Sequence, residues 1–422
     1  MWSIIGLIIV TIVVYQFYKK LGDSLPILEF MLLIAGLQWI IGAIIEYNTP
    51  FEHYKYYMYV TQSTYMATVV PGYTLFSVIL LWVSKKYPLK LLKQEDLTQF
   101  SPYALIFLII GFCARFITNS IPGSLGFLVL IISSFQYIGA IILFFSKVKW
   151  HQYVLYGSII ILLFSSLSSG FFHDFILWSS FFYMFYAIKY QVSHKTKLMT
   201  IGLSFFALIV LQGVKSNYRA ALELGYDGSP IALFVNTITA QWNSGFFEKS
   251  ENQQGLNIRL NQGWIISAVL DQVPRGQTFA NGQTVKEAII ASIFPRFLMP
   301  NKKMAGGQEN FKKYTGLYLG ANTSMGISVI GEFYANYGKG VTLAMGIWGL
   351  FLGFIWAFLW RTQFNNPFIV FFLPLIFLQV VKAETELVVV LNHLVKASIV
   401  VFAFFYVTRH LFKWEIYERY EP

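Results

Sequence analysis

Long apolar runs alternate with short polar connections along most of this 422-residue chain. The runs fall at about Trp2 to Tyr18, Pro26 to Glu46, Ser63 to Ser84, Pro102 to Thr118, Ser124 to Ser146, Tyr153 to Ser169, Phe171 to Tyr190 and Leu198 to Val214. Three more follow at Val341 to Trp360, Pro367 to Val381 and Leu391 to Thr408. A helix needs about 20 apolar residues to cross the hydrocarbon core, so the pattern predicts an all-α polytopic membrane protein with about eleven transmembrane helices.

The pattern changes between Lys215 and Gly340, a stretch too long to be structureless in a compact protein. Within it, Ile231 to Trp242, Leu256 to Val273 and Thr284 to Phe294 have the length and apolar spacing of short helices packed on the membrane face, separated by Gly-Asn-Gln loops. The chain thus divides into an N-terminal bundle of about eight spans (1–214), a long loop segment (215–340) and about three C-terminal spans (341–422). No internal repeat, low-complexity tract or soluble domain interrupts it.

Composition agrees. Hydrophobic residues make up 56% and charged residues 12%, against about a quarter charged in a soluble globule, and the mean hydropathy is +0.58. Aromatics at 18% suit lipid-facing helices and interfacial belts. Cys113 is the single cysteine and lies in an apolar run, which leaves no disulfide framework and no cysteine-ligated metal. Met1 to Tyr18 has no basic leader and no small-residue cleavage site, so it is expected to stay as the first helix.

The net charge of +11 would point to nucleic acid on a soluble protein. Here the cations lie between apolar runs or in the long segment, so anionic lipid and lipid-linked phosphate are the expected partners, and nucleic acid is not. Lys19 and Lys20, then Lys85, Lys86, Lys90 and Lys93, then Lys147 and Lys149, Lys195 and Lys197, Arg361, and Arg409 with Lys413 occupy alternate connections. Those near Asn48, Asn119 and Gly170 carry almost none. Cations in short connections stay cytoplasmic, which places the N-terminus and the long segment outside and the C-terminus inside. Long loops cross largely regardless of charge, so the basic long segment does not conflict with this.

Candidate chemistry gathers in that segment and after it. Lys215 and Arg219, at i and i+4 beyond a span, can project from one helical face; basic residues at helix ends also commonly snorkel to headgroups. Arg259 precedes an apolar run, where a buried guanidinium would require an anion; a solvated loop arginine is the competing reading. In Pro295-Arg296-Phe297-Leu298-Met299-Pro300-Asn301-Lys302-Lys303, two prolines fix where Arg296 and Lys302 point, or the stretch is a surface turn with incidental charges. If Gly326 to Gly340 is helical, Glu332 and Asn336 share a face with Glu332 at membrane depth, a functional candidate by default; Glu332 pairing with Arg259 or Arg296 is the alternative. Lys382, Glu384, Glu386, Asn392, His393 and Lys396 interrupt the last apolar stretch and should point into a cavity or at each other. His393 is either a base or a satisfied interfacial histidine. The long segment has no Asp-x-Asp and no metal-ligand spacing, no phosphate-binding glycine loop and no Gly-x-Ser-x-Gly elbow, so no metal or cofactor is expected and an anion would be neutralised by arginine and lysine.

Lys215-x-x-x-Arg219, Arg259 ahead of Gly263-Trp264, Pro295-Arg296-x-x-x-Pro300-x-Lys302 and Gly331-Glu332-x-Tyr334-x-Asn336-x-Gly338 together resemble the Wzy-type polymerases of bacterial surface polysaccharides, which include O-antigen, exopolysaccharide and enterobacterial common antigen polymerases. The resemblance covers about the second half of the chain, and the order and spacing of these short motifs carry it. It implies a metal-independent GT-C-like glycosyltransferase of the bacterial inner membrane, acting on undecaprenyl-diphosphate-linked oligosaccharide. The growing glycan would pass from its carrier to the non-reducing end of a new lipid-linked unit, with a chain-length regulator as a possible partner.

On that reading Arg259 and Arg296 stabilise the departing diphosphate, with Lys215, Arg219 and Lys302 in support. Glu332 or His393 serves the acceptor hydroxyl, and Tyr334, Asn336 and Glu384 contact acceptor sugar. Two other readings stay open: an O-antigen ligase-like transferase on the same carrier, and a transporter or flippase of lipid-linked sugars. Transport would favour mid-depth charges and paired halves; the first eight runs are poor in central charges, with Arg115, His173 and Asp174 near run ends, and show no two-fold pattern.

Overall fold

The computed structural model describes residues 1–50, 56–91, 97–121, 123–243, 260–294, 299, 302–303, 308–320 and 323–414. Regular structure among them is helical, apart from one isolated bridge between Leu21 and Ser24. Nine of the described helical stretches are long and apolar enough to cross a membrane, and the protein is an all-α polytopic membrane protein. Helices suit this composition because each closes its main-chain hydrogen bonds within itself, where lipid offers none.

In chain order the helices are α1 (Trp2–Lys20), α2 (Ile27–Tyr47), α3 (Gln62–Lys86), α4 (Ser101–Ile117), α5 (Leu125–Phe144), α6 (His151–Ser169), α7 (His173–Tyr190) and α8 (His194–Glu223). Then come α9 (Pro230–Asn243), α10 (Gly263–Gln272), α11 (Gln283–Ile293), α12 (Gln308–Thr315), α13 (Val329–Tyr337), α14 (Val341–Asn365), α15 (Ile369–Phe377) and α16 (Leu387–His410). Two expected spans are not among these nine by length and hydropathy. His173, Asp174, Ser179, Ser180 and Lys189 dilute α7. The run from Pro367 to Val381 yields only the nine-residue α15, which contains Pro374 and has every side chain buried by protein.

The connections gather at two ends. At one, the Lys20 ammonium donates to Glu29 and to Ser84 at 2.6 Å each, Lys90 meets Asp23 at 2.8 Å, and Gln191 donates to the Gly22 carbonyl. At the other, the loop face, Tyr47 donates to the Val60 carbonyl, the Tyr59 amide donates to Ser267, and Gly326 packs on the backbone of residues 384–386.

Between the ends, α14 lies along α3 with a seam of small residues turned inward. A Cβ at Gly346, Gly349 or Gly353 would stand 2.6 Å from Leu75, 3.2 Å from Phe76 and 2.9 Å from Val83, respectively. Leu343, Ile347, Leu350 and Phe354 are exposed on the same helix, as a lipid-facing stripe would be. Without a hydrophobic drive between helices in lipid, such close backbone approach supplies the packing.

The long segment is seated by an irregularity in α2. Leu37–Ile41 forms a π turn, which widens the helix and disturbs the i to i−4 ladder. The Gln38 carbonyl there accepts the Gln262 amide at 3.1 Å, and the Trp39 carbonyl accepts the Tyr65 hydroxyl at 2.8 Å. Gly42 makes room, since a Cβ there would lie 2.7–2.9 Å from backbone atoms of Leu260 and Asn261. α10 then packs against α13 and α12, while α11 lies along α16 and buries Thr284, Ala288, Ala291 and Ser292. The expected short helices therefore exist as α9, α10 and α11, while α12 was not anticipated: its Gln308-Glu309-Asn310-Phe311-Lys312-Lys313-Tyr314-Thr315 is mostly polar.

Gly42→Ala should destabilise the protein by about 1–3 kcal/mol, the usual cost of overpacking, because backbone cannot rotate aside. Gly349→Ala, which meets side-chain atoms at 3.2–3.5 Å, should cost less. Thermal unfolding of the detergent-solubilised variants measures both; equal midpoints would contradict the seating of residues 260–263 on α2.

Candidate functional site at the loop face

Two polar groupings occupy the loop face. The deeper one is built on α13. Ser328 precedes this helix with φ at +62°, a region that disfavours a side chain, and is fully buried. Glu332, one turn on, is buried; its Oε2 accepts the Leu387 amide at 2.8 Å, the first N–H of α16, and its Oε1 has no hydrogen-bond partner among the described residues. Helix N-termini present unsatisfied N–H groups and a partial positive charge, so a carboxylate there is favourable.

Asn336 does share a face with Glu332, donating to its carbonyl at 2.8 Å. It also donates to Thr284 Oγ1 at 2.7 Å and accepts the Gly282 amide at 2.9 Å. These bonds tie α13 to the start of α11. From α11 the polar chain continues: Glu287 meets Lys303 at 3.0 Å, Lys303 donates to Asn310 Oδ1 at 2.5 Å, and Asn310 donates to Glu386 Oε2 at 2.9 Å. Burial raises the Tyr314 phenol pKa beside this chain, with Lys303 opposing and Glu287, Glu332 and Glu309 adding to the rise.

The second grouping lies where α7 begins, α8 emerges and the turn before α16 passes. His173 Nδ1 stands 3.2 Å from Glu384 Oε1, and the Lys382 ammonium 3.3 Å from Asp174 Oδ1. Glu384, Lys382, Asp174 and Lys215 are all within electrostatic reach of His173. Lys382 also helps line a small, otherwise apolar hollow with Met31, Ala35, Trp39, Phe76, Val329, Trp348, Val380, Ala383 and Val390.

The other expected site residues divide between the groupings and positions elsewhere in the fold. Lys215 and Glu384 belong to the second grouping. Arg219 does not: its Nε donates to the Gly170 carbonyl at 2.8 Å and its guanidinium lies over Phe171, closing the α6–α7 turn. Burial lowers its pKa, and Glu223 counteracts that. Lys302 donates to the Ala291 and Phe294 carbonyls at 2.7 and 2.6 Å, capping the end of α11. Tyr334 is half-buried, with its hydroxyl 3.4 Å from the Val273 carbonyl. His393 is buried within the helices, its Nε2 2.8 Å from the Leu375 carbonyl and its ring edge-on to Phe127. The last polar stretch therefore points partly into a hollow, at Lys382, and otherwise at other elements: Lys396 lies over Phe127 as well. Arg259 and Arg296 lie outside the described residues, as do Pro295 and Pro300. Among the described residues, no three His, Cys, Asp or Glu side chains group as a metal would require.

Sequence reasoning did not single out His173, Asp174, Lys303 or Asn310 as site members. The one signal for His173-Asp174 was its place, a polar pair opening an apolar run just past Gly170. Lys303 and Asn310 had none, because their partners Glu287 and Glu386 are distant in the chain.

Replacing Glu332 by Gln preserves an acceptor for the Leu387 amide and should change stability little. Glu332→Ala orphans that buried N–H and should cost about 1–3 kcal/mol. Lys303→Met, which strands the buried side-chain oxygen of Asn310, should fall in the same range. Chemical unfolding in detergent ranks the three; an Ala variant as stable as the Gln variant would show that the carboxylate holds nothing. No family model, no curated protein and no solved structure matches this chain.

Proposed function

We propose that the protein is a glycosyltransferase that polymerises undecaprenyl-diphosphate-linked oligosaccharide repeat units. It moves the growing glycan from its lipid carrier to the non-reducing end of a new lipid-linked unit. The site faces outward from a bacterial inner membrane, with residues 215–340 in the periplasm, the N-terminus outside and the C-terminus in the cytoplasm. The distribution of lysines described above supports that orientation.

The observation that carries the reading is the position of Lys382. It lines an apolar hollow among α2, α3 and α14 and also belongs to a charged grouping with Lys215 and His173. The hollow itself is small, about 20 Å³, so it offers the cation an apolar border rather than a berth for the lipid; a cation at such a border complements a phosphate attached to a hydrocarbon chain. As the bond from C1 to the carrier oxygen breaks, negative charge grows on the diphosphate. Cations fixed in advance favour that state over the ground state. Arg259 and Arg296 enter this mechanism on the family resemblance alone.

Purified protein in detergent should join lipid-linked repeat units, and Lys382→Ala should slow this by about 10- to 100-fold, the effect of losing one charge-assisted contact. In cells, Arg296→Ala should leave folded protein in the membrane and surface glycan of single repeat units. Long chains left unattached would identify a ligase instead. Normal long attached chains, with no elongation in detergent, would overturn the polymerase.

A further inference from the structure

We infer that the groove between α8 and α9 is a saccharide-binding subsite, which holds uncharged sugars of the growing glycan on the flank of α8 opposite the charged grouping. The inference rests on the transferase reading above and names where glycan remote from the reacting bond is held. The groove has a volume of about 420 Å³, within the range of small-molecule sites, about 300–1,000 Å³. Among the described residues, Asn217 lines it from α8, and Asn236, Thr237, Ala240 and Gln241 line it from α9.

The two helices are pinned along one stripe. Leu167, Phe172, Val214, Tyr218 and Leu233 form a small core there, and the Tyr218 hydroxyl lies 2.7 Å from the Leu167 carbonyl and 3.3 Å from the Pro230 carbonyl, its ring edge-on to Phe234. The groove beside the stripe therefore keeps its shape before a ligand arrives, which lowers the cost of binding one. On α9 its residues stand at i, i+1, i+4 and i+5, the spacing of one helical face. On α8, Asn217 follows Lys215 by two positions, about 200° around the helix. The carboxamide thus opens away from the ammonium that lies within electrostatic reach of His173. A helix about 10 Å across separates the two flanks, so only a glycan of several sugars spans both.

The lining selects the class of ligand. Among the described residues no charged side chain borders the groove, so a phosphate finds no counter-ion there, and an acyl chain would desolvate amides without replacing their hydrogen bonds. A carboxamide offers an acceptor oxygen and two donor hydrogens, which suits sugar hydroxyls that donate and accept in turn. Asn217 and Asn236 are exposed, so both amides are open to a ligand. The Thr237 hydroxyl donates to the Leu233 carbonyl at 2.7 Å, which leaves its oxygen to accept. The small Ala240 side chain lets a ring approach the helix between its polar neighbours.

The test titrates purified full-length protein in detergent with delipidated glycan, namely surface polysaccharide of cells that carry the protein, released by mild acid and fractionated by length. Calorimetry should show fragments binding, and inorganic pyrophosphate, the probe for the charged grouping, should not displace them. Asn217→Leu combined with Asn236→Leu should weaken binding by about 10-fold or more, the effect of losing two hydrogen bonds, and should shorten the glycan made in cells. Thr239→Val, on another face of α9, should bind as wild type does. Wild type that binds no fragment, displacement by pyrophosphate, or a double variant with wild-type affinity or normal chain length overturns the inference. If the double variant does not accumulate folded, Asn236→Leu alone decides: a several-fold loss of affinity supports the subsite and an unchanged affinity overturns it. Wild type that binds fragments yet joins no repeat units overturns the transferase reading and leaves the subsite standing, so the two failures are distinguishable.

Discussion

The contact between Glu332 and the first amide of α16 organises the loop face. A helix that begins at Leu387 inside a packed membrane protein has N–H groups that no water reaches, and an acceptor must come from elsewhere in the chain. Glu332 supplies it from α13, which immediately precedes α14. One carboxylate therefore locks the end of the long segment to the start of the last span. The bonds of Asn336 to Gly282 and Thr284 extend the lock to α11, and Lys303 and Asn310 carry it back to Glu386.

The same accounting shows what two basic residues of the long segment hold in this structure. Arg219 and Lys302 each donate to main-chain carbonyls where a helix has ended. Main-chain oxygens at helix ends are anionic in effect and are present whether or not substrate is bound. A basic residue one turn from such an end has a partner at hand. Lys382 differs in that its ammonium meets the Asp174 carboxylate rather than a helix-end carbonyl, within a charged grouping at the edge of a hollow.

The two groupings meet at the turn of residues 382–386: Glu386 joins the deep network, and Lys382 and Glu384 join the outer one. Gly326 allows this turn to pass, because a Cβ there would stand 2.6 Å from the Glu384 carbonyl oxygen. The π turn of α2 fastens the other side, through the Gln38 carbonyl and Gln262, whose side chain reaches the Gly326 carbonyl. A rigid floor beneath mixed charges is what a site needs if its cations are to be aimed before substrate arrives.

Apolar run length alone determined the helical membrane architecture and the extent of most spans, since the hydrocarbon thickness sets the length of any crossing helix. Periodicity likewise revealed α9 and α11, and the i, i+4 relation of Glu332 and Asn336. It could not reveal that the run ending at Val381 folds as the nine-residue α15, wholly buried by protein. Nor could it show which polar residues are occupied. Lys302, Arg219 and His393 read as candidates because their types suit chemistry, yet each had a carbonyl waiting in a different part of the fold. His173 and Lys303 carry no pairing signal in the sequence because their partners lie 211 and 16 positions away. Hydrophobic pattern is a property of neighbours in sequence, whereas hydrogen-bond satisfaction is a property of neighbours in space, and only the tertiary structure brings the latter together.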